Sequence, residues 1–117
     1  MAQFDMRGQQ VTNQYIAGRD MNFGSVQSFE DLITELEKLK GELYQAKQAG
    51  IISVEEATDA EYQVTKAVQQ AKKPDPDKKT ILHHLNTAKS FIAGITAASG
   101  LVTALTGAIE VVQRLFS

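Results

Sequence analysis

The chain has no cysteine, and only two histidines and two prolines among 117 residues. Without cysteine there is no disulfide framework, no thiolate nucleophile and no cysteine metal site. The histidines, His83 and His84, are adjacent, and neighbours on a helix diverge by about 100°. They are poorly arranged to chelate one metal, and no acidic or cysteine partner sits at ligand spacing. No GxSxG elbow and no GK[ST] phosphate loop occurs, and no serine or threonine has a His/Asp constellation beside it. A non-enzymatic protein without cofactor or metal is expected. The basic excess that marks general nucleic-acid binding is missing too, because the net charge is −2. The first ten residues, MAQFDMRGQQ, include Asp5 and lack the apolar core of a signal peptide, so a cytoplasmic location is expected.

What is present divides into three parts: an arm over 1–27, a helical hairpin over 28–73 and a long apolar helix over 74–117. The arm contains seven Asn or Gln residues and no proline. Its apolar residues recur at short spacing, as Phe4 with Met6 and Met21 with Phe23, with Gly8, Gly18 and Gly24 as punctuation. That pattern predicts strands near 3–6, 10–16 and 20–23. Stacked Asn and Gln side chains form hydrogen-bond ladders, and uncovered strand edges pair with other chains. Two readings stand: strands that add across copies, or a hairpin folded over the protein's own helices.

The hairpin is the plainest signal. Ser28 followed by Glu30 and Asp31 marks a helix start. Phe29, Leu32, Leu36, Leu39, Leu43 and Ala46 then recur at spacings of three and four, a heptad-like seam. Gly50 closes this helix, and Ser53 with Glu56 opens a second, roughly 53–72. The second has a smaller apolar face of Val54, Ala57, Ala60, Val64, Ala67, Val68 and Ala71. Pro74 and Pro76 break the chain, with Asp75 expected to cap the next helix.

From there a single helix is expected to run nearly to the end, with Gly100 as the point where it bends or divides. Residues 90–109 carry no charge, although 22% of the whole chain is charged. Twenty uncharged residues could span a bilayer, but Ser, Thr and Gly dilute the run to the border of what inserts. Nearby Lys72, Lys73, Lys78, Lys79 and Lys89 could meet anionic headgroups, at about 1 kcal/mol each; a solvated turn is the plainer account. Apolar residues beyond Ala98 spread around the helix, which predicts burial on every side. Ala93 and Ala97 lie on one track of small residues, Gly100, Ala104 and Ala108 on another, and such tracks let helices approach closely.

VTNQYIAGRDMNFG near the start, together with the charged hairpin, the KPDPDK break and the uncharged Ala/Gly/Leu helix, resembles a loose group of small bacterial proteins. The Asn13-Gln14 and Ala17-Gly18 to Asn22 portion is similar to Asn/Gly-rich β-motifs attached to components of bacterial conflict and signalling systems. Among these are partners of nucleotide-binding signalling ATPases. The resemblance implies homotypic assembly and a signalling partner encoded nearby.

The expected fold is therefore mainly α (α+β): short N-terminal β-strands or a hairpin, an antiparallel helical hairpin and a long C-terminal helix, in an oligomer. The expected function is self-assembly into a homo-oligomer or filament, with the protein itself as partner. Its interface would be Val11, Asn13, Tyr15, Met21, Asn22 and Phe23 in the arm, and Ile92, Ile95, Gly100, Leu101, Ala104, Leu105 and Ala108 in the helix. The alternative is a membrane-active effector whose C-terminal helix inserts.

Overall fold

The structure, a computed structural model, describes residues 26–116. The expected strands all lie outside the described residues. Among the described residues there are four α-helices, one 3-10 turn and no strand, so the class is mainly α.

Helix α1 is Phe29–Gln48, and the Ser28 hydroxyl accepts the Asp31 N–H at 3.1 Å as its cap. The helix ends where Gly50 takes a left-handed conformation, φ 76°. The Ile51 N–H then reaches back to the Ala46 carbonyl at 2.9 Å, and the Gly50 N–H to that of Lys47 at 3.1 Å. This pair of bonds satisfies carbonyls left open at the helix end and turns the chain round. Helix α2 is Val54–Ala71, capped by Ser53, whose hydroxyl accepts the Glu56 N–H and donates to the Glu56 carboxylate, both at 3.1 Å. The seam of α1 is buried as expected from Leu32 to Ala46, and that of α2 from Ala57 to Ala71. Val54 departs from the expectation and is 68% exposed. As the first residue of α2 it precedes the turn at which that face meets α1.

Helix α3 is Lys78–Ile92. Its cap is Asp77 rather than the expected Asp75, with the carboxylate accepting from the Thr80 N–H at 2.9 Å and the Thr80 hydroxyl at 2.5 Å. Both prolines thus precede the helix, where the missing N–H costs nothing. Ile81, Leu85, Ala88 and Ile92 are buried.

The long C-terminal helix is two helices. α3 stops at Ile92, Ile95 is extended (φ −99°, ψ 104°), and a 3-10 turn over Thr96–Ala98 leads into α4, Ser99–Leu115. The division falls at 93–95, ahead of Gly100. Burial explains the reversal: Leu101, Leu105, Ala108 and Val112 all become fully buried against the chain's own helices. Covering a large aliphatic side chain contributes roughly 1.5–3 kcal/mol, and a straight forty-residue helix would leave many of these in water.

Consecutive helices pack on one another, and α4 returns to α1. The Phe29 and Phe116 rings meet edge to face with centroids 5.2 Å apart, and the Arg114 guanidinium donates to the Val26 carbonyl. The start of α1 therefore lies beside the end of α4, which closes an up-down-up-down bundle. Its base holds the start of α1, the α2–α3 connection and the end of α4. Its tip holds the α1–α2 and α3–α4 connections. The core between them is aliphatic, of Leu, Ile, Val and Ala.

Candidate interaction surfaces

The expected helix interface is mostly core. Ile92, Leu101, Leu105 and Ala108 have no exposed surface and Ala104 has 8%, while Ile95 and Gly100 are half-buried. Nor is α4 buried on every side, because Thr103 and Glu110 are exposed and Val102, Thr106 and Ile109 half-buried. The hydroxyl of Thr106 bonds back to the Val102 carbonyl at 3.0 Å, which lets a polar residue sit on the flank of an apolar seam. Of the two small-residue tracks, Ala104 and Ala108 face inward, whereas Ala93 and Ala97 are exposed. Val11, Asn13, Tyr15, Met21, Asn22 and Phe23 lie outside the described residues.

Among the described residues no helix is long and apolar enough to cross a membrane, and no cluster of three or more His, Asp or Glu is placed to hold a metal. His83 is exposed, and His84 Nδ1 lies 2.7 Å from Gln63 Oε1 across the α2–α3 contact. Partial burial there, then the nearby charges of His83 and Lys66, lower the His84 pKa below its usual value.

Three surfaces remain outside the core. On the α1–α2 face Tyr44 and Tyr62 are 47% and 56% exposed. Lys47 lies over the Tyr44 ring at 4.9 Å and Lys66 over the Tyr62 ring at 5.5 Å. Lys47 also joins the helices through Glu61 Oε2 at 3.3 Å, an ion pair rather than a directed hydrogen bond. These tyrosines give no signal in the sequence, since they lie off both the apolar seam and any motif.

The base is charged. Glu30, Asp31, Lys72, Lys73, Asp75, Asp77, Lys79 and Arg114 are all exposed there. The Asp77 pKa is lowered by the hydroxyl bond from Thr80 and next by the backbone bond from the same residue. A cleft of about 220 Å³ lined by Val26, Asp31, Thr34 and Glu35 lies beside the point where residues 1–25 join α1.

The tip is the opposite. Neither residues 48–54 nor residues 90–99 include a charge, and the bundle brings these two stretches to the same end, while the rest of the uncharged run, to 109, descends α4 toward the base. Val54, Ala93, Gly94, Thr96 and Ala97 are exposed there and Ile51 and Ile95 half-buried. A signal for this surface existed in the sequence, since both connections are uncharged, but only the topology joins them. Comparison with protein families, with curated proteins and with solved structures gives no match to this chain.

Proposed function

We propose that this protein is a non-enzymatic self-assembling module, a scaffold or signalling element in which a four-helix bundle carries an Asn/Gln-rich arm that pairs with other copies. The observation that carries this reading is the tie at the base. Arg114 holds the Val26 carbonyl and Phe116 covers Phe29, so the bundle grips the chain at the point where the arm leaves it. A firm anchor on a folded support lowers the ordering cost when the arm pairs with another arm. The arm itself, free of proline and with charges Asp5, Arg7, Arg19 and Asp20 that sum to zero, suits strand addition.

The helix-insertion alternative loses its main support, since the uncharged run is divided between two helices whose large residues are turned into the core. Self-packing through Gly100, Ala104 and Ala108 loses support for the same reason. The arm is thus left as the leading contact between copies.

The test is the full chain with Val11, Tyr15, Met21 and Phe23 all replaced by Ser, followed by light scattering and circular dichroism. The expected outcome is a fall in mass with the helical signal intact. An unchanged mass refutes strand addition.

A further inference from the structure

We propose that the cleft at the base seats the chain's own arm, held there by Arg19 against the carboxylates of Asp31 and Glu35. The inference deepens the self-assembly reading above by naming how the bundle anchors the arm. It places Val11 and Tyr15 beyond the anchor, where they can pair with another copy.

The cleft, of about 220 Å³, is walled by Val26, Asp31, Thr34 and Glu35. Val26 is both part of that wall and the residue to which residues 1–25 join. Its backbone is fixed from two sides, since the Arg114 guanidinium donates to the Val26 carbonyl and the Gln27 N–H donates to Asp31 Oδ2 at 3.3 Å. The arm therefore enters at the edge of the cleft. Asp31 and Glu35 stand one turn apart on the same side of α1, and the half-buried Glu42 continues that side two turns on. The Glu35 side chain is only 13% exposed, so its carboxylate has given up most of its water and needs a cation nearby. Lys38 reaches it at 3.1 Å, but the Lys38 side chain is itself 53% exposed and stays in solvent.

Arg19 is the nearest cation on the arm's side of the cleft. Its planar fork meets carboxylate oxygens in pairs and is more weakly hydrated than an ammonium, which suits a half-enclosed site. Reach is ample. An extended chain covers about 3.5 Å per residue over the stretch from Arg19 to Val26, whereas Glu35 lies roughly 9 Å along α1 from Phe29 at 1.5 Å per residue. Gly24, between Arg19 and Val26, suits the reversal this requires. Side chains alternate along an extended chain, so Arg19, Met21 and Phe23 share one face and Asp20 and Asn22 the other. The face that brings arginine to the bundle thus turns Asp20 away from Asp31 and Glu35. An arm from another copy carries the same arginine, but the chain's own arm is tethered at the edge of the cleft. Its effective concentration there is on the order of millimolar, and it avoids the entropy loss of association.

The experiment uses the full chain, which has no cysteine of its own. Thr34→Cys is combined with Ala17→Cys in one variant and with Met21→Cys in another, so that the arm cysteines flank Arg19, and a short bis-maleimide is added at low protein concentration. The expected product is a cross-linked monomer, formed at a rate independent of protein concentration. Arg19→Gln in the same background should slow it by about fivefold, and so should Glu35→Gln. Exchanging the charges, Arg19→Glu with Glu35→Arg, should restore it. Arg19 lies outside the bundle, so its variant keeps the test valid if circular dichroism shows that Glu35→Gln disturbs the helices. Cross-linked dimers whose yield rises with concentration would make another copy's arm the occupant and overturn the proposal. So would the absence of any cross-link, or a rate unaffected by Arg19→Gln. Light scattering on the unsubstituted chain keeps the two readings apart: a monomer at every concentration removes self-assembly, while the cross-linked monomer and its dependence on Arg19 would still establish the anchor.

Discussion

The two halves of the bundle reach the same degree of burial from opposite kinds of sequence. In α1 and α2 the seam is written between charged residues, with Glu30, Asp31, Glu35, Glu37, Lys38 and Lys40 setting off Leu32, Leu36 and Leu39. Charges on the outer face leave a helix only one way to turn inward. In the second half the long stretch from Ser90 to Ile109 has no charge, and apolar residues appear on several faces. Such a helix has several nearly equivalent orientations from its own pattern, and packing against neighbours chooses among them. The contrast teaches that charge placement, as much as apolar spacing, makes a buried face legible. It also explains why the first half reads as an amphipathic hairpin while the buried face of α4 does not stand out from its sequence.

The comparison can be broken most directly in the core. If α4 is as fully part of the fold as α1, Leu105→Ala and Leu36→Ala should destabilise the protein comparably, each by about 2–5 kcal/mol. Urea unfolding followed by circular dichroism measures both. A Leu105 variant with near-normal stability would mean that α4 is only loosely attached.

A smaller effect separates the two small-residue tracks. Ala104 is buried and Ala97 exposed, so Ala104→Leu should overpack the bundle and cost about 1–3 kcal/mol, while Ala97→Leu should stay within about 0.5 kcal/mol of the parent. Reading both by the same unfolding curves distinguishes a core position from a surface one. Had the whole stretch been an interface between copies, the two would differ in assembled mass instead.

The smallest expected effect concerns pH at the seam between halves, where His84 on α3 meets Gln63 on α2. Burial, and then the charges of His83 and Lys66, hold the folded-state pKa of His84 below its unfolded value near 6.5. The unfolded chain therefore takes up a proton first as pH falls. The contribution of this site is complete above pH 6.5 and is lost as pH falls through that value toward the folded-state pKa. His84→Gln should narrow the difference between melting temperatures at neutral and at mildly acid pH, and an unchanged difference would assign the acid sensitivity elsewhere.

Much of the first half is readable from local pattern, including Ser28 and Ser53 as caps, Gly50 as the left-handed stop and the seam from Leu32 to Ala46. A hydroxyl satisfying an N–H three residues on, or a glycine relieving a positive φ, depends on residues within one turn. Asp77 in place of Asp75 shows the limit of such reasoning, since both acids could cap, and Asp77 is the one whose carboxylate accepts both the N–H and the hydroxyl of Thr80 while its own N–H reaches Gln70 on α2. The candidate surfaces are less legible. The small residues of α4 are visible as a track, but a track fits a partner copy or the chain's own core equally well.

By itself the sequence determined the helical hairpin, its caps, the proline break, the uncharged run and the absence of cysteine chemistry, because each depends on residue type and short spacing. Tertiary structure alone decided that the run folds back at 93–95, that Ala104 and Ala108 face the chain's own core, and that residues 48–54 and 90–99 share one end. Those outcomes compare the burial of whole helices against alternatives of similar local energy. Only the packed bundle, in which Phe116 reaches Phe29 and Leu105 loses all contact with water, supplies the difference.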